Sequence, residues 1–353
     1  PMLRPSSSPL RAPAADRRRP ILPPGATVVV TGGAGFVGSH LAEALLLRGH
    51  AVHVVDDLST GRLDNLAAIA AHPALRVTVG SVADPQVAAP AVGSADAVFH
   101  LAGVVGVQKL AAEPLAVMQR NLHATEQVLT AAAAAGVPVL FTSSSEVYGD
   151  GRVPFCEEDP VRPGTTEGLR GGYACAKAMG EWLAFGHAHQ SSLPVVVARL
   201  FNTVGPRQSG EAGMVLPRFV RQAVRGEAIT VYGDGAQTRC FAHVGDVVAA
   251  LIDLASVPAA VGRVFNVGSD AETSVLALAE LVRERAGSNS PIVRVPFAEV
   301  FPRGFVDPMR RVPSLVRLRA AIGRAPATPL PAIVDELIAC VRAGQPAAGI
   351  AAR

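Results

Sequence analysis

The segment Thr31-Gly32-Gly33-Ala34-Gly35-Phe36-Val37-Gly38 constrains the fold more than any other part of the chain. A β-branched run, Thr27 to Thr31, leads into it. A helix-patterned run with Leu41, Ala44, Leu45 and Arg48 on recurring faces follows and closes at Gly49. Strand, glycine-rich turn and helix in that order is the context in which GxGxxG carries information. Gly33 permits the tight turn, Gly35 lets backbone approach a pyrophosphate, and Gly38 lets the helix pack closely on the strand. The helix start then offers free N–H groups and a positive dipole end to phosphates, with Gly32, Gly35, Phe36, Val37 and Gly38 as the expected contacts. The next apolar run, Ala51 to Val55, ends in Asp56, spaced for a carboxylate that receives the adenosine ribose hydroxyls. Its charge repels a 2′-phosphate, so the expected cofactor is NAD rather than NADP.

The pattern continues downstream. Asp57-Leu58-Ser59-Thr60-Gly61 is polar and turn-prone, suited to wrap the adenosine half. A strand from Leu75 to Val79 precedes Gly80-Ser81-Val82-Ala83-Asp84, where Asp84 either accepts from the adenine amino group or caps the next helix. The strand Ala97 to Leu101 runs into Ala102-Gly103, small residues that let backbone lie against the cofactor. A helix from about 115 to 135 carries Asn121, a candidate cofactor contact of a residue type that more often braces its own helix. The strand Val137 to Thr142 ends in Ser143-Ser144-Ser145-Glu146. Helices are also expected over 173–189, 216–225, 274–286 and 327–342, with strands over 195–200 and 229–232. Alternating strands and helices predict an α/β fold, a doubly wound parallel Rossmann sheet with ligands at the strand C-terminal ends. The expected division is a dinucleotide-binding domain over 25–202, with 240–268 returning to it. A smaller substrate lobe takes 203–239 and 269–342, and a disordered tail over 1–24 and a frayed end over 343–353 flank them.

Composition narrows the class. With 353 residues the chain can bury a substantial core, and 49% hydrophobic against 17% charged residues reads as a globular protein. The net charge of +3 misleads, because the first twenty residues carry five arginines against Asp16 and leave the remainder close to −1. No general attraction to nucleic acid or membrane follows. Cys156, Cys175, Cys240 and Cys340 form no CxxC pair and suit a reducing cytoplasm, and no metal-ligating cluster is expected. No uninterrupted apolar run is long enough to span a bilayer. The arginine-rich start lacks an apolar signal core and reads as a disordered leader or expression remnant rather than an export signal.

The chemistry-bearing pair is Tyr173 and Lys177, four apart and therefore on one helical face. A lysine ammonium beside a phenol, like the positive nicotinamide ring, stabilises the phenolate and lowers its pKa. Such a tyrosine takes a proton from a sugar hydroxyl while hydride leaves the same carbon for the cofactor. A hydroxyl from Ser144 would orient the substrate hydroxyl and share the developing charge.

Together these residues resemble the extended short-chain dehydrogenase/reductase family, in its nucleotide-sugar epimerase, dehydratase and decarboxylase branch. The resemblance covers about 26–320 and rests on Thr31 to Gly38, His100-Leu101-Ala102-Gly103 and Tyr173-x-x-x-Lys177. It continues through Arg199-Leu200-Phe201-Asn202, Val231-Tyr232-Gly233-Asp234-Gly235 and Arg239. It implies Tyr173 as base, Lys177 as its electrostatic partner and ribose anchor, and Ser144 as the substrate-hydroxyl partner. It implies Asn202, Arg239 and one of Arg310 or Arg311 as diphosphate or substrate contacts. Val104, Val215, Leu216, Arg218, Thr230 and Tyr232 are implied along the rest of a UDP-sugar, and Val82 along the cofactor. It further implies a tightly held, recycled NAD and a homodimer formed through four helices, those over 115–135 and 173–189 from each copy. Ser145-Glu146 with Arg239 looks like UDP-glucuronate decarboxylases, where Ser145 and Arg239 would position the carboxylate and Glu146 orient or protonate the substrate. The resemblance then implies UDP-xylose or its 4-keto precursor as product. Asp57-Leu58-Ser59-Thr60-Gly61 looks more like UDP-hexose or UDP-hexuronate 4-epimerases, the alternative reading, and the Leu169-Arg170-Gly171-Gly172 loop before Tyr173 departs from the longer Pro-Arg-Ala-Cys-Tyr signature of xylose-forming decarboxylases. A 4,6-dehydratase fits less well, because Ser145 stands where its aspartic acid donor would be.

Overall fold

The computed structural model describes residues 19–166, 169–208, 214–300 and 308–344. Strands β1 (Thr27–Thr31), β2 (Ala51–Asp56), β3 (Leu75–Val79), β4 (Ala97–His100), β5 (Val139–Ser144) and β6 (Val195–Leu200) form a parallel sheet. Between them run α1 (Phe36–Leu47), α2 (Pro85–Gly93), α3 (Val107–Ala112), α4 (Pro114–Ala135) and α5 (Leu169–Gln190). Then come β7 (Thr203–Val204), α6 (Val215–Arg225), β8 (Ile229–Tyr232), β9 (Thr238–Cys240), β10 (Ala242–His243) and α7 (Val244–Ser256). The chain continues through β11 (Arg263–Val267), β12 (Glu272–Ser274), α8 (Val275–Arg285), β13 (Ile292–Val295) and α9 (Phe297–Val300). It closes with α10 (Val316–Ile322) and α11 (Leu330–Arg342).

The sheet order is β11-β6-β5-β4-β1-β2-β3. Direction of winding reverses between β1 and β4, and in an open parallel sheet that reversal opens a crevice at the strand C-termini. Strands such as Val28-Val29-Val30 are apolar on both sides because helices cover both faces. One face packs Leu41, Leu45, Leu251 and Phe265; the other packs Val128, Leu129, Phe141 and Ala184. A separate core of Leu216, Phe219, Ile229, Leu278 and Leu337 holds the smaller lobe.

Two expected boundaries shift. Within the proposed 1–24 tail, Ile21 and Leu22 are buried and the Leu22 N–H donates to the Ala255 carbonyl at 2.8 Å, because apolar residues beside the sheet gain more by burial than by mobility. Residues 1–18 of that tail, and 345–353 of the frayed end, lie outside the described residues. Within the proposed 269–342 lobe, Leu315 and Leu318 pack into the core of the main sheet instead, so α10 returns to the first domain.

A buried polar brace fixes the strand ends beneath the crevice. Thr31 Oγ1 lies 2.8 Å from His100 Nδ1, and the Leu101 and Ala102 N–H groups donate to the same hydroxyl at 3.2 and 3.1 Å. His100, wholly buried, also lies 3.2 Å from the Thr125 hydroxyl. Burial drives its pKa down to about 3, so it is a neutral hydrogen-bonding group at ordinary pH.

Candidate active site

The crevice holds a cavity of about 800 Å³ running from the glycine-rich loop to the smaller lobe. At its centre α5 presents Tyr173 and Lys177, and the end of β5 presents Ser144, Ser145 and Glu146. Tyr173 shares a hydrogen bond with Ser144. The Ser144 hydroxyl also accepts the Glu146 N–H at 3.2 Å, closing a one-turn 3-10 helix that turns the glutamate toward the cavity.

The electrostatics differ from expectation. Burial pushes the Tyr173 phenol above its ordinary value and Glu146 pushes the same way, while the Ser144 hydrogen bond and Arg311 oppose them. The Lys177 ammonium, expected to hold the phenol down, is spent partly on the Thr142 carbonyl at 3.1 Å. Burial lowers its own pKa to about 8, against the pull of Glu181. Thr142 gave no signal in sequence because its contribution is a backbone carbonyl.

Arg311 and Glu146 form an ion pair, Nη1 to Oε1 at 2.6 Å, inside the cavity wall. Of the two arginines left open by sequence, Arg310 faces away, held by two bonds to Glu272 at 2.8 and 2.7 Å. Arg239 is buried, lines the cavity and donates from Nη1 to the Thr238 carbonyl at 2.7 Å.

The remaining candidates divide. Gly32, Gly35, Phe36, Val37, Gly38, Asp56, Asp57, Ser59, Thr60, Val82, Leu101, Ala102 and Gly103 line the cofactor end. Val104, Asn202, Val215, Leu216, Arg218 and Tyr232 line the other, where the Arg218 guanidinium lies 3.7 Å from the Tyr232 ring centre. Four others stand behind the wall. Asp84 caps α2, its Oδ1 accepting the Gln86 N–H at 2.8 Å. Asn121 is a brace, donating to the Val104 and Val117 carbonyls at 3.0 and 2.7 Å. Gly61 leaves room for Asp56, whose carboxylate oxygen would lie 2.6 Å from any Cβ there. Thr230 accepts from Arg218 at 3.2 Å and so steadies a lining residue rather than lining. Arg120, Gln237, Phe241 and Phe297 also line the cavity; no local motif marks them, because distant segments bring them together.

Residues 28–268 match the model described as the NAD dependent epimerase/dehydratase family. The chain belongs to this family. It is 40% identical over 293 residues to UDP-N-acetyl-alpha-D-glucosaminuronate decarboxylase of Bacillus cytotoxicus, covering 82% of this chain and 90% of that protein. It is 34% identical over 303 residues to UDP-glucuronic acid decarboxylase 1 of Danio rerio, covering 86% and 69%. Among solved structures it is similar to UDP-glucose 4-epimerase of Thermotoga maritima with UDP-glucose, with TM-score 0.81, 27% identity, and coverage of 90% and 99%. It is likewise similar to a dTDP-glucose 4,6-dehydratase of Streptomyces venezuelae with NAD bound, with TM-score 0.81, 27% identity, and coverage of 90% and 97%.

As in an NAD-dependent epimerase/dehydratase-family protein, the loop fits a pyrophosphate. The α1 N-cap, Gly35, supplies no side-chain bond, so the first-turn N–H groups of Phe36 and Val37 remain available at the cavity wall. Asp56 accepts the Ala34 and Leu58 N–H groups at 2.9 and 2.8 Å, tying the glycine-rich loop to the turn after β2 while its carboxylate retains further lone pairs. A Cβ at Gly38 would stand 2.1 Å from the Gly32 carbonyl oxygen. Gly38→Ala is therefore expected to force loop and helix apart, costing about 1–3 kcal/mol of stability and most of the affinity for NAD. Calorimetric NAD titration and thermal melting check this; native affinity in the variant would remove the close-packing argument.

Proposed function

We propose that this chain decarboxylates a UDP-hexuronate, UDP-glucuronate in the first instance, by oxidation at carbon 4, loss of the carbon 6 carboxylate and reduction to UDP-xylose. The observation that carries the reading is the Glu146–Arg311 pair at 2.6 Å, beside Ser145 and on the same cavity as Tyr173. Names of relatives support it, 34–40% identical over more than four fifths of the chain. The glycine-rich loop, Asp56 and Lys177 would hold NAD, which would supply a hydride acceptor at carbon 4 that is regenerated within each turnover, so no net oxidant is consumed.

The residues divide the work as follows. Tyr173 takes the proton of the carbon 4 hydroxyl and Ser144 holds that oxygen in line. Oxidation makes a β-keto acid, whose carbon–carbon bond breaks with its electron pair passing into the new carbonyl. Tyr173, now carrying the proton, and Ser144 face the oxyanion that develops there. Carbon 5 of the enolate then takes a proton from solvent, and Tyr173 returns its own proton to the carbon 4 oxygen in the final reduction. Arg311 has five N–H donors and offers those not engaged by Glu146 to the departing carboxylate, while Glu146 fixes the guanidinium plane. Ser145 adds a hydroxyl beside that carboxylate. Arg239 and Asn202 take the diphosphate, and Arg218 and Tyr232 flank the nucleoside end. The same reading makes the chain a cytoplasmic homodimer. Cys175, Met179, Trp182 and Gly186 form one exposed stripe on α5, suited to a four-helix contact, and the four cysteines are unpaired.

Incubating the enzyme with UDP-glucuronate and following products by mass spectrometry tests the reaction. Loss of the mass of carbon dioxide is expected. The 40% identity to a decarboxylase of the 2-acetamido hexuronate makes that nucleotide sugar the second substrate to offer. A product of unchanged mass from either would overturn decarboxylation in favour of 4-epimerisation.

A further inference from the structure

Behind the Glu146–Arg311 pair lies a buried amide that the chemistry above does not use. Asn266, at the end of β11, is fully buried. Its Oδ1 accepts the Tyr148 hydroxyl at 2.7 Å, and its Nδ2 donates to the Phe155 carbonyl at 2.9 Å and to the Ser314 carbonyl at 3.3 Å. Its backbone N–H donates to Glu157 Oε1 at 2.9 Å. Every polar group of its side chain thus ties together segments far apart in sequence.

Two of those segments carry the ion pair. Tyr148 ends the 3-10 turn that begins with Ser145 and Glu146. Ser314 follows Arg311 by three residues. That stretch is clamped to Phe155, whose N–H donates to the Val312 carbonyl at 2.9 Å and whose carbonyl accepts the Ser314 N–H at 2.8 Å. The Tyr148 ring is stacked on Phe155 with centroids 4.7 Å apart, and the Arg199 guanidinium lies 4.6 Å from the same ring. One amide therefore holds the backbone behind Glu146 through Tyr148 and the backbone behind Arg311 through Phe155 and Ser314.

We infer that Asn266 and the Tyr148 hydroxyl are positioning residues that set the Glu146–Arg311 pair at the spacing needed to grip the substrate carboxylate. The inference rests on the decarboxylase reading above. A buried amide with all its partners made is worth this role because a lost bond there leaves an unpaired dipole that only backbone movement can relieve. Movement of either segment would separate a pair whose contact is a single short bond.

The test compares affinities for UDP-glucuronate and UDP-xylose, which differ by the carboxylate, measured by calorimetry on NAD-loaded protein carrying Tyr173→Phe to prevent turnover. The Tyr173→Phe parent should prefer UDP-glucuronate. Adding Tyr148→Phe, which removes one hydroxyl and keeps the stacked ring, should reduce that preference about tenfold while leaving UDP-xylose affinity unchanged. Asn266→Asp keeps the Oδ1 acceptor but faces two carbonyls with a charge, and should erase the preference; its melting temperature reports whether it folds. A parent that binds both nucleotide sugars equally would refute the decarboxylase reading itself. A parent preference that survives Tyr148→Phe intact, or a Tyr148→Phe loss shared equally by both ligands, would sink the positioning role alone.

Discussion

Tyr173→Phe is expected to lower turnover of UDP-glucuronate by about 10²- to 10⁴-fold, the usual worth of a positioned general base, while NAD and the nucleotide sugar stay bound. The ring remains packed against Val104, Leu110 and Val117, so the variant should fold and melt close to the parent. Only the phenol oxygen and its hydrogen bond with Ser144 are lost. The pH profile gives a second reading of the same residue. The Tyr173 phenol is raised by burial and Lys177 is lowered to about 8 by burial. The reactive form pairs an ionised phenol with a charged lysine. With the base titrating above the acid, that form grows about tenfold per pH unit only until Lys177 begins to lose its proton. The wild-type rate should therefore climb toward pH about 8 and level off above it, since further phenol ionisation is cancelled by loss of the ammonium. Residual turnover in Tyr173→Phe should show no such climb. Full activity in that variant, or a profile that falls steadily from pH 6 upward, would remove Tyr173 from the proton path.

Much of this arrangement was readable without coordinates, for a local reason. The glycine-rich turn, Asp56 and the Tyr173–Lys177 pair are set by spacing within one or two elements, where helix and strand periodicity act directly. The alternation of elements likewise forces the parallel sheet and hence the crevice. What sequence left open depends on contacts between segments far apart. Asp84 and Asn121 have side chains that suit either a ligand or a neighbouring backbone, and both bond backbone here. Arg310 and Arg311 are adjacent, so on an extended stretch they face opposite ways. Which one meets the cavity depends on the clamp to Phe155, 156 positions earlier than Arg311. Helical spacing alone assigns the lysine's charge to the phenol, whereas the fold gives part of it to a strand-end carbonyl.

The largest stability effect is expected at Glu181, one helical turn beyond Lys177. Its carboxylate receives Arg199 through Nε at 2.9 Å and Nη2 at 2.6 Å, and the Ser143 hydroxyl at 2.5 Å, all buried. Glu181→Leu leaves the Arg199 guanidinium in the interior without its counter-charge and should cost about 3–5 kcal/mol, read as a fall in the urea midpoint. The pair itself contributes little net stability, because both ions were taken out of water to form it. Replacing both, Glu181→Leu with Arg199→Met, should therefore recover most of the loss. Activity should not recover with it. Glu181 ties the helix of Tyr173 and Lys177 to the strand end that carries Ser144, and Arg199 lies on the Tyr148 ring behind Glu146. A double variant that folds as firmly as the parent but turns over slowly would separate the two roles of these charges, keeping the catalytic groups in register rather than holding the fold together. A double variant with full turnover would show that apolar packing alone sets that register.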